Sequence, residues 1–115
     1  MENKIFFRVS NLETKQGLWY DFEGNFTGLI HTKFDFCTNS QLRMDYDDKL
    51  RGFLSATEAI DTLYNWFTKE EILKLQSEGY FIHEYETTDY WFYEPFQHWV
   101  INQGSSILTK RIILF

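Results

Sequence analysis

Residues 55–87 read SATEAIDTLYNWFTKEEILKLQSEGYFIHEYET, and the order of elements in this stretch decides the fold class. Ser55-Ala56-Thr57-Glu58 and Thr68-Lys69-Glu70-Glu71 both match the capping box, in which a hydroxyl accepts from the backbone three residues on while the Glu reaches back. After the first box, Ala56, Ala59, Ile60, Leu63 and Phe67 recur at helical spacing and predict one buried stripe. After the second, Ile72, Leu73 and Leu75 predict a helix over 69–78 with those three side chains buried. Gly79 is placed to stop it in a left-handed conformation. Residues 80–87 then read as a strand.

Working outward, residues 4–10 are rich in Phe, Ile and Val and predict a first strand. Residues 17–22 and 26–31 predict a hairpin across Glu23-Gly24-Asn25, because Gly and Asn supply the backbone conformations of a tight turn. Residues 34–37 extend as a short strand, and 38–51 are polar and irregular. Past the helices, 98–102 and 107–114 predict two more strands joined through Gln103-Gly104-Ser105. Strands, then two helices, then strands again argue for α+β: one domain over residues 1–115, with a twisted, mostly antiparallel sheet packed against two short helices.

The composition agrees. At 43% hydrophobic and 24% charged, the 115 residues match a globular core and exclude disorder, collagen and coiled coil. No apolar run approaches the ~20 residues a membrane helix needs. The start, Met1-Glu2-Asn3-Lys4-Ile5, has neither a basic leader nor a cleavage site, so a cytoplasmic protein is expected. The lone Cys37 forms no internal disulfide and no multi-cysteine zinc site.

The charge is uneven. Eleven Lys and Arg stand against 17 Asp and Glu, for a net charge of −6. No Lys or Arg occurs from Leu75 to Thr109, a segment that holds Glu78, Glu84, Glu86, Asp89 and Glu94 among Tyr and Trp residues. Glu84 and Glu86 would project from one strand face about 7 Å apart, a spacing that resembles phosphates along a nucleic-acid strand. Glu84, Glu86, Asp89, Tyr90, Trp91, Tyr93 and Glu94 are therefore the candidate partner-binding residues, with a basic protein surface as the partner. Direct nucleic-acid binding is disfavoured by the sign of the charge. A homodimer built on the aromatic residues is the alternative partner.

Other chemistry is thin. Asp45, Asp47 and Asp48 cluster in a loop, but Leu50-Arg51-Gly52-Phe53 does not supply the ligands of a calcium loop. His31, His83 and His98 have no ligand spacing, and no activating motif surrounds Cys37. No metal or cofactor is expected on the binding reading, and no catalytic residue is assigned.

Two resemblances extend these readings. By size, acidity and the aromatic stripe, the chain resembles small orphan proteins of phages and prophages, among them anti-CRISPR and other anti-defence inhibitors. That resemblance implies an inhibitor that occupies the basic nucleic-acid-binding surface of a host nuclease or defence effector. The run Phe6-Phe7-Arg8-Val9-Ser10, then Gly52-Phe53-Leu54-Ser55-Ala56-Thr57, a strand over 79–87 and Gln97-His98-Trp99-Val100-Ile101 is similar to small mono-ADP-ribosyltransferases. This second resemblance implies NAD binding, with Arg8 holding the dinucleotide, Ser55 or Thr57 supporting it and Gln97 as a further cofactor-binding candidate. The family's late Glu is absent: Trp99 stands at the best-aligned position, with Gln97 two residues earlier and Glu94 nearby.

Overall fold

The computed structural model describes residues 2–23, 25–35, 37 and 52–115. Among them are six strands and two α-helices: β1 (Lys4–Ser10), β2 (Phe53–Ala56), α1 (Ile60–Trp66), α2 (Lys69–Ser77), β3 (Phe81–Thr87), β4 (Tyr90–Tyr93), β5 (His98–Asn102) and β6 (Ile107–Ile112). The expected α+β fold is the one observed. Its strands divide between two antiparallel sheets, ordered β1-β3-β6 and β2-β5-β4. A single bridge stitches them, with Phe7 N donating to Thr57 O at 2.8 Å and Thr57 N to Phe7 O at 2.9 Å.

Among the described residues three hydrophobic clusters hold the strands, the smallest being Tyr93 with Val100 between β4 and β5. Val9, Ile82, Ile72, Leu75 and Leu63 belong to the largest one, which joins the first sheet to both helices. Phe6, Ala56, Tyr85 and Ile101 form a second, which joins the two sheets. Burying side chains of this kind contributes ~2 kcal/mol each.

α2 begins as the sequence predicts. The Thr68 hydroxyl accepts from Glu71 N at 3.1 Å, and the Glu71 carboxylate accepts from Thr68 N at 2.9 Å. At the other end Gly79 has φ +88°, Tyr80 N donates to Leu75 O and Gly79 N to Gln76 O, the Schellman pattern. Ile72 and Leu75 are buried, but Leu73 points outward.

The first predicted box does not form. Residues 53–56 pair with β5 instead, Leu54 opposite Ile101 and Ser55 opposite Val100, and this tertiary pairing overrides the local capping pattern. α1 starts only after Ala59, without a side-chain cap, and Glu58 reaches Lys4 at 3.0 Å. Of the predicted stripe, Leu63 and Phe67 are buried, Ala56 is buried in a strand, and Ala59 is exposed.

The predicted hairpin over 17–31 is reduced to one bridge, Tyr20 to Phe26. Trp19 O accepts from both Thr27 N and Gly28 N, and Gly28 at φ +61° turns the chain into a short 3₁₀ segment, Leu29–His31. A ladder cannot continue through that turn. Phe34 lies in a turn closed by Cys37 N to Phe34 O rather than in the predicted strand. The predicted loop over 38–51, with Asp45, Asp47 and Asp48, lies outside the described residues. No helix among the described residues is long and apolar enough to cross a membrane.

Candidate functional site

Inward alternation along β1 places Arg8 at the junction of the two sheets, opposite His83 and only 5% exposed. Its Nη1 donates to Ser55 O at 2.9 Å, while its Nε has no acceptor. No ion pair among the described residues involves Arg8. Burial drives its pKa down to about 10, so the guanidinium stays charged at neutral pH, in a place where taking an ion out of water costs several kcal/mol. Gly17 makes room for it: a Cβ there would lie 2.7 Å from Arg8 Nη2 and 2.8 Å from Tyr20 O. Beside the guanidinium is a cavity of about 30 Å³, lined by Arg8, Gly17, Ser55, Leu63, Trp66 and Phe67 among others.

A chain of polar side chains runs away from Arg8 along the same sheet. Arg111 Nε donates to His83 Nε2 at 3.1 Å, and arginine is a donor only, so the His83 proton sits on Nδ1 and is given to Ser10 Oγ at 2.9 Å. Ser10 Oγ continues to the Tyr85 hydroxyl at 3.3 Å. Burial and then the charges of Arg111 and Arg8 push the His83 pKa down to about 4, which keeps the ring neutral.

Ser55 faces two ways. Its carbonyl carries Arg8, and its hydroxyl lies 2.9 Å from His98 Nε2, with Trp66 edge-on to the His98 ring at 5.5 Å. Beyond this pair is a second cavity of about 200 Å³, walled by Thr57, Glu58, Trp66, Phe92, Gln97 and Trp99. Trp66 and the Ser55–His98 pair thus separate the two spaces. Gln97 is held in a left-handed conformation, φ +55°, by its own side chain, which donates to Glu94 O at 2.7 Å. The Thr57 hydroxyl donates to Ala59 O.

The four residues that the resemblance alone would assign to a nucleotide therefore fall on two adjoining spaces, Arg8 and Ser55 on the smaller, Thr57 and Gln97 on the larger. The acidic and aromatic residues are dispersed. Glu84 and Glu86 lie opposite Phe7 and Ile5, on one face of the first sheet. Tyr90 packs on Phe6 at 5.2 Å, on the other face. Glu84 is taken up by Thr109 at 2.7 Å and Lys110 at 3.7 Å, and Asp89 by Asn102 at 2.9 Å. Tyr90 donates to Glu2 O, Trp91 packs on Phe53 and Tyr93, Tyr93 is buried, and Glu94 is exposed.

In the sequence His83 and His98 stand only as histidines without ligand spacing and Gly17 only as the start of a hairpin strand; their places around Arg8 and Ser55 are not anticipated there. Arg8 is singled out through the resemblance to mono-ADP-ribosyltransferases; a charge at an inward position of an apolar strand would also mark it, and nothing local marks the residues that surround it. Among the described residues no group of three or more His, Cys, Asp or Glu could hold a metal ion. Burial pushes the Cys37 thiol up to about 12, which keeps it protonated. Compared with protein-family models, curated proteins and solved structures, the chain matches none.

Proposed function

We propose that the protein binds the phosphates of a nucleotide at the junction of its two sheets, with NAD the first candidate. The observation that carries this reading is Arg8: a buried cation with an unused Nε donor and no acidic partner among the described residues. A fixed planar guanidinium is suited to phosphate oxygens, which would complete its hydrogen bonds. Gly17 supports the fit, because it lines the space beside Arg8 and a Cβ there would press on the guanidinium and on Tyr20 O. Arg8 and Ser55 or Thr57 also match the two positions that the resemblance to mono-ADP-ribosyltransferases ties to the dinucleotide.

The larger space suits a planar ring, walled as it is by Trp66, Phe92 and Trp99 with the amide of Gln97 at one side. Because the space at Arg8 is water-sized, a dinucleotide enters only with outward movement of the 17–20 segment or of α1. NAD bound there would supply a labile bond between nicotinamide and ribose. Stabilising the cation left when that bond breaks takes a carboxylate, and position 97 holds a neutral amide while position 99 holds an indole. The reading is accordingly binding without transfer.

Calorimetric titration with NAD, ADP-ribose, ADP and pyrophosphate tests it. All share the phosphates Arg8 would hold, so saturable binding of at least one is expected, weakened more than tenfold in Arg8→Met. No binding at millimolar concentration, or equal binding by the folded variant, would sink the reading.

A further inference from the structure

β6 and β4 each present an outer edge that no described strand covers. The two are built differently. β6 carries Lys110 and Arg111 and is irregular at Thr109, where its register with β3 shifts. Charge and irregularity are what keep an edge from pairing with another chain. β4, Tyr90-Trp91-Phe92-Tyr93, has no charge, and its register with β5 is continuous from Tyr90–Ile101 to Tyr93–His98. Asn102 N donates to Asp89 O, so by the alternation of an antiparallel ladder Tyr90 and Phe92 turn their backbone N–H and C=O groups outward. Phe92 is 40% exposed.

Charge identifies the occupant. Exposed Asp89 and Glu94 stand at the two ends of β4, and residues 75–109 contain no Lys or Arg. A second copy of this chain fits poorly: the outward groups of Tyr90 and Phe92 allow antiparallel pairing about Trp91, which gathers Asp89 of one copy and Glu94 of the other at each end of the paired strands, with no Lys or Arg on either strand to offset them. We infer that the outer edge of β4 takes up an extended, Lys- and Arg-bearing segment of another protein as a fourth strand of the β2-β5-β4 sheet. Main-chain bonds to Tyr90 and Phe92 hold the segment, and its cations meet Asp89, Glu94 and the ring of Phe92. The Phe92 ring also walls the larger space, but the strand edge itself makes no use of Arg8, so the inference does not depend on nucleotide binding.

The probe is the capped peptide Lys-Val-Arg-Val-Lys-Val, titrated by fluorescence anisotropy into the intact protein. Saturable binding is expected, about tenfold weaker at 500 mM than at 50 mM salt and at least tenfold weaker for the Asp89→Lys, Glu94→Lys double variant. N-methylation of alternate peptide bonds is expected to abolish binding by the unaltered protein, which decides the matter even if the double variant does not fold. No binding at 50 mM salt, or equal binding of the N-methylated peptide, overturns the inference. So does a dimer in sedimentation velocity that the peptide fails to dissociate, because a second copy then occupies the edge. Arg8→Met is expected to leave peptide binding unchanged, so failure here and failure of the nucleotide reading are separate results.

Discussion

Arg8 rests on the main chain of Ser55, Nη1 to carbonyl oxygen at 2.9 Å, and finds no acid among the described residues. A buried cation offset by one carbonyl is a poor contributor to stability, and its retention in an otherwise apolar strand is what a binding role would require.

Replacing it should therefore stabilise the protein. Arg8→Met is expected to raise the unfolding free energy by about 2 kcal/mol in urea denaturation, since an apolar side chain of similar length replaces a desolvated charge. A large loss of stability would mean that the guanidinium holds the fold together.

Gly17→Ala acts on the same place by the opposite route. The new methyl would overlap Arg8 Nη2 and Tyr20 O, so a loss of about 2 kcal/mol is expected. Combined with Arg8→Met the cost should shrink, because one of the two clashes is gone; strict additivity in the double-mutant cycle would argue against the contact.

His83 makes stability fall in acid. Its pKa is near 4 in the folded protein and near 6.5 when unfolded, so between those values the unfolded chain binds more protons and stability is lost as the pH drops. The groups facing the ring are Arg8, Arg111, Ser10 and Tyr85. About 3 kcal/mol should disappear from pH 7 to pH 4 through this group. Subtracting the same curve for His83→Gln isolates it, and coincident curves would show that His83 does not titrate there.

The two capping motifs separate by mutation. Thr68→Ala should cost about 1 kcal/mol through loss of the α2 cap. Ser55→Ala should leave the α1 terminus unaffected and instead release His98, visible as a shift of its ring resonances in NMR spectra.

β1 and β5 were legible to the residue, and so were the Thr68 cap and the Gly79 stop, because each rests on local chemistry that no distant contact contests. β2 was hidden behind the Ser55-x-x-Glu58 pattern: the same motif that opens α2 is overruled where Leu54 and Ser55 find β5. β4 was hidden for another reason, since four aromatic residues in a row carry no periodicity. In the candidate site, Arg8 and Ser55 were visible through their place in the order of elements. His98 and Gly17 were not, because their roles arise only when β5 and the 17–20 turn close on β1 and β2.

The strand orders β1-β3-β6 and β2-β5-β4 have a kinetic meaning. Each sheet borrows strands from both ends of the chain, so neither assembles from a contiguous piece. Ser10 meets His83 across 73 positions, and β1 has no sheet partner until β3 has been made. On a ribosome β1 therefore waits, apolar and without a sheet partner, until β3 has emerged, and refolding should be slow for a fold whose contacts span so many positions. Cutting the chain between the helices would separate β1 and β2 from every strand with which they form a sheet.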